Sequence, residues 1–257
     1  MGTKNIFLIR HGESAGNLDI NRYATDKDHN VPLTEFGYQQ ALNAGKFLKK
    51  HFEEHPELKD KKIRVYYSPY LRAKQTLEGI LEGAEGTLDK TKIVAREDSL
   101  LRERDYGIFS LVGDKESRQR LFPLQNEFFE QLNAQNGKYY ARPPQGESLA
   151  DTNIRTELFK DKLMGSLDRN EDVDVTIIVS HDSTLKCFEK GFFHKDVAWF
   201  EAQPKFPNCG VKLIEQTGPK SYRSDLIYSN EKRLPNLPAD YKSQAHGETA
   251  QVTSQAR

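Results

Sequence analysis

Short, apolar, β-prone runs, most of them followed by a helical pattern, constrain the fold of this chain more than any other feature. Lys4–Arg10 reads KNIFLIR, Ile63–Tyr67 reads IRVYY and Val173–Ser180 reads VDVTIIVS. Runs of this length indicate buried strands and are too short for membrane spans. Ile93–Val94 and Val211–Ile214 are predicted as two further strands. Strands that alternate with helices predict an α/β fold with a mostly parallel central sheet and helices on both faces.

The intervals between these strands carry helical patterns. Helices are predicted to begin after Thr34, near Tyr70, near Ser148 and at Ser183. Thr34 and Ser183 are the predicted N-caps, because a hydroxyl oxygen there can accept an unpaired N–H of the first turn. The helix after Thr34 has a predicted buried face with helical spacing, made of Ala41, Gly45, Leu48 and Phe52.

The length of 257 residues fits one large domain, which we expect to span residues 1–230. Between about 109 and 145, aromatic residues stand among polar ones, and this pattern predicts a small helical cap inserted into the domain. Residues 231–257 are polar and are predicted to form a disordered C-terminal tail.

Charge and composition exclude several classes of function. The chain has 38 basic and 38 acidic residues, so no global basic surface for nucleic acid is expected. The first apolar run, Ile6–Ile9, is too short for a signal peptide, and no stretch approaches a membrane span. Cys187 and Cys209 are too few for a disulfide framework or a zinc site. We therefore expect a reduced, cytoplasmic protein without a metal site.

Two histidines occupy the same predicted position, at the end of a strand that enters a helix. His11 follows Arg10 at the end of the first strand, and His181 follows the late strand. Arg72 stands just past the strand that ends before Ser68. The carboxyl ends of parallel strands share one edge of a sheet, where ligands commonly bind. Arginine guanidinium groups can donate two hydrogen bonds to phosphate oxygens, and helix N-termini offer unpaired N–H groups to the same oxygens. These residues therefore predict a site for a tetrahedral dianion.

Four motifs in this order resemble the histidine phosphatase superfamily, also called phosphoglycerate-mutase-like. They are RHGES at 10–14, SPYLRAKQT at 68–76, LRERDYG at 101–107 and VSH at 179–181. Three further segments agree: AGN at 15–17, PLTEFGYQQA at 32–41 and GESLADTNIR at 146–155. Within the superfamily, YATDKDH at 23–29 and PNC at 207–209 are most similar to a plant and fungal mutase-like subgroup whose substrates are poorly defined.

The resemblance implies a phosphomonoesterase that acts through a phosphohistidine on His11. Glu103 would protonate the leaving alcohol and then act as the base on the attacking water, although Asp105 is a competing carboxylate two residues on. The residues that the resemblance implies around the phosphoryl group are Arg10, Asn17, Arg72 and His181. No cofactor is implied, since cationic side chains neutralise the phosphate.

Two other functions remain open at this point. A phosphoglycerate mutase shares RHGES and the ERxYG pattern, but its Thr-Gly-Trp segment is missing after Asn17. A non-catalytic protein of the same fold would use the pocket to recognise a phosphorylated ligand. Many family members have glycine after the second histidine, where this chain has Asp182; an inward carboxylate would repel phosphate, and we expect it to point outward. The substrate is left open among sugar phosphates, nucleotides, phosphoproteins and phospholipid head groups, and so is the oligomeric state.

Overall fold

The computed structural model describes residues 5–58, 61–87, 93–169, 175–218 and 221–230. The predicted tail at 231–257 lies outside the described residues, as do the first residues predicted for two strands, Lys4 and 173–174. In the described ranges, no helix combines the length and the apolar character needed to cross a bilayer.

The centre of the structure is a six-stranded sheet of order β3-β2-β4-β1-β5-β6. Its strands are β1 Asn5–Arg10, β2 Ile63–Tyr67, β3 Ile93–Glu97, β4 Val175–Ser180, β5 Val211–Gly218 and β6 Ser221–Tyr228. Strands β1 to β4 pair in parallel, whereas β5 and β6 run antiparallel to their neighbours. The predicted mostly parallel sheet is therefore confirmed. The hairpin partner β6 was not predicted, because an edge strand with many exposed polar residues lacks an apolar run.

Helices connect the strands and cover both faces of the sheet. They are α1 Ala15–Leu18, α2 Arg22–Thr25, α3 Glu35–Glu54, α4 Leu71–Gly83, α5 Lys115–Leu121, α6 Pro123–Tyr140, α7 Leu149–Arg169, α8 Asp182–Phe192 and α9 Val197–Ala202. Short 3₁₀ turns lie at Asp28–Asn30, Pro56–Leu58, Ser99–Leu101 and Gly107–Leu111. The segment predicted as a cap, about 109–145, is mostly helical and contains both α5 and α6.

Two apolar layers hold the sheet, and β1 supplies both because successive side chains of a strand point to opposite faces. Phe7 and Ile9 pack into the layer under α3 and α4, while Ile6 and Leu8 pack into the layer under α7 and α8. The predicted buried face of α3 is confirmed, since its four residues all lie in the core or against it. Burial of an aliphatic or aromatic side chain contributes about 1.5–3 kcal/mol, so this strand is a large part of what fixes the sheet.

Strand register decides where the predicted site residues emerge. Arg10 pairs with Ser180, and Tyr67 pairs with Val179. The chain segments that follow β1, β2 and β4 therefore leave the sheet at one edge, side by side. The tertiary arrangement thus brings together three motifs that are far apart in the sequence.

The helix starts confirm one predicted cap and correct another. The Thr34 hydroxyl accepts the Gly37 N–H at 2.9 Å, as predicted for an N-cap. The prediction of Ser183 as a cap is wrong, because α8 already begins at Asp182 and His181 occupies the N-cap position in an extended conformation. The late strand thus passes into its helix without an intervening loop, which places the His181 ring directly at the strand end.

Candidate active site

A cleft of about 370 Å³ opens at the carboxyl edge of the sheet. Five of the predicted site residues line it: Arg10, His11, Asn17, Arg72 and Glu103. Residues from the 3₁₀ turn before α5 and from α5 itself also line it, among them Phe109 and Arg118. A cleft of this size fits a small phosphorylated molecule, since small-ligand sites measure about 300–1,000 Å³.

His11 has one ring nitrogen bound and the other free. Its backbone N–H donates to the Ser180 carbonyl at 2.9 Å, which continues the parallel pairing one residue past β1. In the ring, Nδ1 donates to the Gly12 carbonyl at 2.7 Å. This bond keeps the hydrogen on Nδ1 and leaves the lone pair on Nε2. Burial, with the charges of Arg10 and Arg72, holds the pKa of His11 well below its ordinary value of 6.5, so the ring is neutral at physiological pH.

Glycine follows His11 because helix α3 approaches closely there. A Cβ on Gly12 would lie 2.4 Å from the Gly37 carbonyl oxygen, a distance that no real Cβ contact tolerates. With no side chain in the way, the Gly12 N–H donates to the Thr76 hydroxyl at 3.0 Å. The glycine of the RHG motif thus lets α3 and α4 approach the chain directly after His11.

Each of the two arginines is anchored through one terminal nitrogen. Arg10 Nη1 donates to the Phe206 carbonyl at 2.7 Å. Arg72 Nη1 donates to the Asp28 backbone carbonyl at 2.6 Å and lies 2.9 Å from the Asp28 carboxylate. The Arg72 guanidinium also lies over the ring of Tyr70, at 4.9 Å from its centroid. Both Nε atoms are buried without a hydrogen-bond partner. Each guanidinium group is therefore held in place by the protein and still has N–H donors available for an anion.

His181 lies close to His11, with 5.1 Å between the ring centroids, although it is not among the cleft-lining residues. Its Nε2 shares a 2.7 Å hydrogen bond with the Ser68 hydroxyl. Its Nδ1 is buried without a hydrogen-bond partner and lies 3.9 Å from Glu103 Oε2. Burial, with the charges of Arg72 and His11, holds the pKa of His181 well below its ordinary value, so this ring is also neutral. With the Ser68 hydroxyl as donor, Nδ1 carries the hydrogen and becomes a donor to an anion.

Glu103 is a carboxyl group of the cleft, and Asp105 is not. Glu103 lines the cleft, and its Oε1 accepts the Arg104 N–H at 2.8 Å. Burial raises the pKa of Glu103, which favours the protonated form. Asp105 is exposed, and its carboxylate accepts the Gly107 N–H at 2.7 Å. The geometry therefore favours Glu103 over its competitor as a proton donor toward the cleft.

Asn17 stands at the mouth of the cleft on α1. Its Oδ1 accepts the Ser14 N–H at 3.1 Å and its Nδ2 donates to the Tyr23 hydroxyl at 3.3 Å. The Asn208 side chain also donates to Asn17 Oδ1 at 3.3 Å. These bonds orient the amide at the cleft entrance.

Asp182 lines the cleft, but protein groups occupy its carboxylate oxygens. Oδ1 accepts the Phe206 N–H at 2.7 Å, and Oδ2 lies 3.5 Å from Lys186 Nζ. The carbonyl of the same residue, Phe206, accepts the hydrogen bond from Arg10. The expected outward orientation is not met in full, because Asp182 lines the cleft while its carboxylate binds the Phe206 N–H and lies near Lys186.

Sequence reasoning missed the ion-pair network that holds the Glu103 segment. Arg155 lies four residues after Asp151 on α7, yet its Nε lies 3.1 Å from the Glu147 carboxylate, which also binds Arg102. Arg104 Nε donates to the Glu147 backbone carbonyl at 2.7 Å. The GES segment at 146–148 was visible in the sequence, but two of its partners, Arg102 and Arg104, are more than forty residues away along the chain.

Comparison with known proteins assigns the family. The family model of the histidine phosphatase superfamily (branch 1) matches residues 6–224. The phosphoglycerate mutase-like protein AT74H of Arabidopsis thaliana is 35% identical over 240 residues, which cover 90% of this chain and 80% of that protein. A 2,3-bisphosphoglycerate-dependent phosphoglycerate mutase of Nitrobacter winogradskyi is 32% identical over 190 residues, covering 72% of this chain and 79% of the mutase. The expected likeness to plant mutase-like proteins is confirmed.

Solved structures agree on the fold. A mycobacterial glucosyl-3-phosphoglycerate phosphatase, solved with VO3, superposes with a TM-score of 0.63 at 19% identity, covering 89% of this chain and all of that one. A phosphoglycerate mutase from Bacillus anthracis superposes with a TM-score of 0.61 at 19% identity, covering 88% of this chain and 93% of that one. At this identity the likeness concerns the fold alone. Together with the family match over most of its length, it leads to one conclusion: the chain belongs to the histidine phosphatase superfamily.

Proposed function

We propose that this protein is a phosphomonoesterase that forms a phosphohistidine on His11. The observation that carries the proposal is a neutral imidazole whose Nε2 is free, inside a group of buried donors that lack partners. A neutral imidazole is a nucleophile toward phosphorus, whereas an imidazolium is not. The bond from Nδ1 to the Gly12 carbonyl supports Nε2 as the attacking atom.

The unpartnered donors support a phosphoryl group as the ligand. Arg10 Nε, Arg72 Nε and His181 Nδ1 are buried without partners, and each belongs to a residue that contributes to the electrostatics of His11 or packs against it. An unsatisfied buried donor costs about 1–3 kcal/mol, so such groups are rare without a purpose. The oxygens of a phosphoryl group would satisfy all three. The positive charge of the two arginines would also stabilise the oxygens while the phosphoryl group is transferred.

In the first step, His11 Nε2 attacks phosphorus and the bond from phosphorus to the ester oxygen breaks. The protonated Glu103 carboxyl donates its proton to that oxygen, so the product leaves as a neutral alcohol. In the second step, a water attacks the phosphohistidine while the Glu103 carboxylate accepts the water's proton. The N–P bond breaks, inorganic phosphate forms, and His11 is neutral again with Glu103 protonated.

The names of the relatives support a phosphorylated metabolite as the substrate. They include enzymes named for phosphoglycerate and for a glucosylated phosphoglycerate. A phosphoglycerate mutase is the second candidate function, favoured by the relative that is 32% identical over 190 residues. The chemistry would then differ in the second step alone, where an alcohol of the substrate takes the place of water.

The covalent step can be tested with His11→Ala. We expect the native protein to acquire an acid-labile, base-stable label from a phosphate donor and the variant to acquire none, because no other group can take the place of the nucleophile. His55→Ala is the matched control, since His55 is exposed and pairs with Glu57 instead. Label retained in His11→Ala would reject the assignment, and no label on the native protein would favour a non-catalytic phospholigand-binding protein.

The fate of the phosphoryl group separates the two enzymatic candidates. Inorganic phosphate released in step with alcohol would support the phosphatase. Interconversion of 2- and 3-phosphoglycerate that requires a 2,3-bisphosphoglycerate primer, with little phosphate released, would support the mutase instead.

A further inference from the structure

The YATDKDH segment at 23–29 has no role in the proposed phosphoryl transfer. The structure places it in α2 and in the 3₁₀ turn Asp28–Asn30. Two of its residues, Tyr23 and Asp28, line the cleft. The segment therefore presents one aromatic ring and one carboxylate to the site around His11.

Tyr23 and Asp28 both contact Arg72. The Asp28 carbonyl accepts a hydrogen bond from Arg72 Nη1 at 2.6 Å, and the Asp28 carboxylate lies 2.9 Å from the same nitrogen. The guanidinium carbon lies 5.6 Å from the centroid of the Tyr23 ring and 4.9 Å from that of Tyr70. An aromatic ring stabilises a guanidinium over its face, so these contacts restrict where the group can lie. The polar contacts with Asp28 fall on Nη1, and Nε is buried without a partner.

The backbone just before Asp28 has an unfavourable conformation. Lys27 has φ 63° and ψ 126°, a combination that residues with a side chain rarely adopt. Such conformations persist where the surrounding structure enforces them, and they cluster at ligand sites. Lys27 itself is exposed. The contacts of Asp28 with Arg72 follow it directly in the chain and help to offset the strain.

Tyr23 also connects Arg72 to Asn17. Its hydroxyl accepts a hydrogen bond from Asn17 Nδ2 at 3.3 Å. Its ring packs against Gly16, where a Cβ would lie 2.4 Å from the ring carbon Cζ. The glycine of the AGN motif thus makes room for the Tyr23 ring. The ring contacts two residues that the resemblance implies around the phosphoryl group.

We propose that Tyr23 and Asp28 are positioning residues, which hold the Arg72 guanidinium by its Nη1 side so that its Nε side faces the phosphoryl group. This inference rests on the proposed function and gives the segment at 23–29 a part in the phosphoryl site. The sign of the effect of Asp28 distinguishes positioning from charge alone. A carboxylate repels a dianion, so its removal would by itself strengthen phosphate binding. If Asp28 holds Arg72 in place, its removal weakens phosphate binding instead.

Binding of inorganic phosphate, measured by calorimetry, and turnover of an aryl and an alkyl phosphate test the proposal. We expect Tyr23→Leu and Asp28→Ala each to weaken phosphate binding by about tenfold. The loss in kcat/KM should be equal for both leaving groups, because Arg72 acts on the phosphoryl group. Tyr23→Phe keeps the ring and Asp28→Asn keeps an oxygen acceptor, so both should retain most of the binding. Asp26→Asn is the matched control, since Asp26 pairs with Arg22 instead.

A double-mutant cycle with Arg72→Lys separates positioning from a general structural role. If Tyr23 and Asp28 act through Arg72, Tyr23→Leu and Asp28→Ala should lose most of their effect once lysine replaces Arg72. Gly16→Ala displaces the same ring while Tyr23 is retained, and it provides a second variant if Tyr23→Leu fails to fold. Effects that persist unchanged in Arg72→Lys, or tighter phosphate binding by Asp28→Ala, would overturn the proposal.

Phosphate binding also distinguishes this inference from the proposed function. Turnover by the native protein, with effects of the variants that are independent of Arg72, would overturn the positioning role and leave the phosphatase intact. Absence of turnover, with phosphate binding that depends on Tyr23 and Asp28 only when Arg72 is present, would uphold the positioning role and overturn the phosphomonoesterase.

Discussion

Replacing Glu103 with glutamine tests the proton donor of the proposed reaction. Glutamine keeps the size of the side chain and an oxygen that can accept the Arg104 N–H, which Glu103 accepts at 2.8 Å. It has no proton to give to a leaving alkoxide. General acid catalysis contributes about 10²–10⁴-fold, so we expect kcat/KM for an alkyl phosphate to fall by that factor. p-Nitrophenyl phosphate should lose little, because its phenolate leaves without a proton.

The pH profile follows from the directions of two pKa shifts. The reaction needs a neutral His11 and a protonated Glu103 at the same time. At the ordinary values of 6.5 and 4.5, both conditions would hold in about 1% of molecules at best. Burial lowers the pKa of His11 and raises the pKa of Glu103, and both shifts enlarge the active fraction. The plot of kcat/KM against pH should therefore be bell-shaped. Its acid limb should lie below pH 6.5 and be set by His11, and its alkaline limb should lie above pH 4.5 and be set by Glu103.

The assay measures kcat/KM for both substrates across the acid and neutral pH range. The alkaline limb should appear with the alkyl phosphate and be lost in Glu103→Gln, while the acid limb set by His11 should remain with both substrates. Asp105→Asn is the matched control and should leave both substrates unchanged, since Asp105 is exposed. Equal losses on the two leaving groups, or an alkaline limb that persists in Glu103→Gln, would refute Glu103 as the acid.

Two further predictions concern groups that position the site. Asp182→Gly should lower kcat/KM for alkyl and aryl phosphates alike, because it frees the Phe206 peptide that anchors Arg10. Asp182→Asn should retain most activity, because its side-chain oxygen can still accept the Phe206 N–H. Equal activity of the two variants would contradict this role of Asp182. Glu147→Ala should lower the free energy of unfolding by about 3–5 kcal/mol in a denaturant titration, because it leaves buried Arg155 without its partner. Glu130→Ala is the control, because Glu130 forms an exposed ion pair with Lys115, and it should lower the free energy of unfolding by less than about 1 kcal/mol. A similar loss of stability in Glu147→Ala and Glu130→Ala would reject the argument.

Much of the site could be predicted from the sequence for a physical reason. A strand buried between two helical layers is rich in apolar and β-prone residues, and on this pattern Ile63–Tyr67 was located to the residue although it includes Arg64. The parallel topology then places the segments after β1, β2 and β4 at one edge. For this reason Arg10, His11 and Arg72 could be expected in one cleft before any coordinates were known.

Tertiary structure alone decided the contacts between residues that are remote in the chain. No periodicity indicates that Glu147 binds Arg102, that the Phe206 peptide joins Asp182 to Arg10, or that β6 completes the sheet. The protonation states also depend on burial, which depends on packing. Local sequence determined which strands and helices form and which residue types stand at their ends. The packing of those elements determined the free nitrogen of His11, the raised pKa of Glu103 and the unpartnered donors of Arg10 and Arg72, because each depends on what the other elements cover.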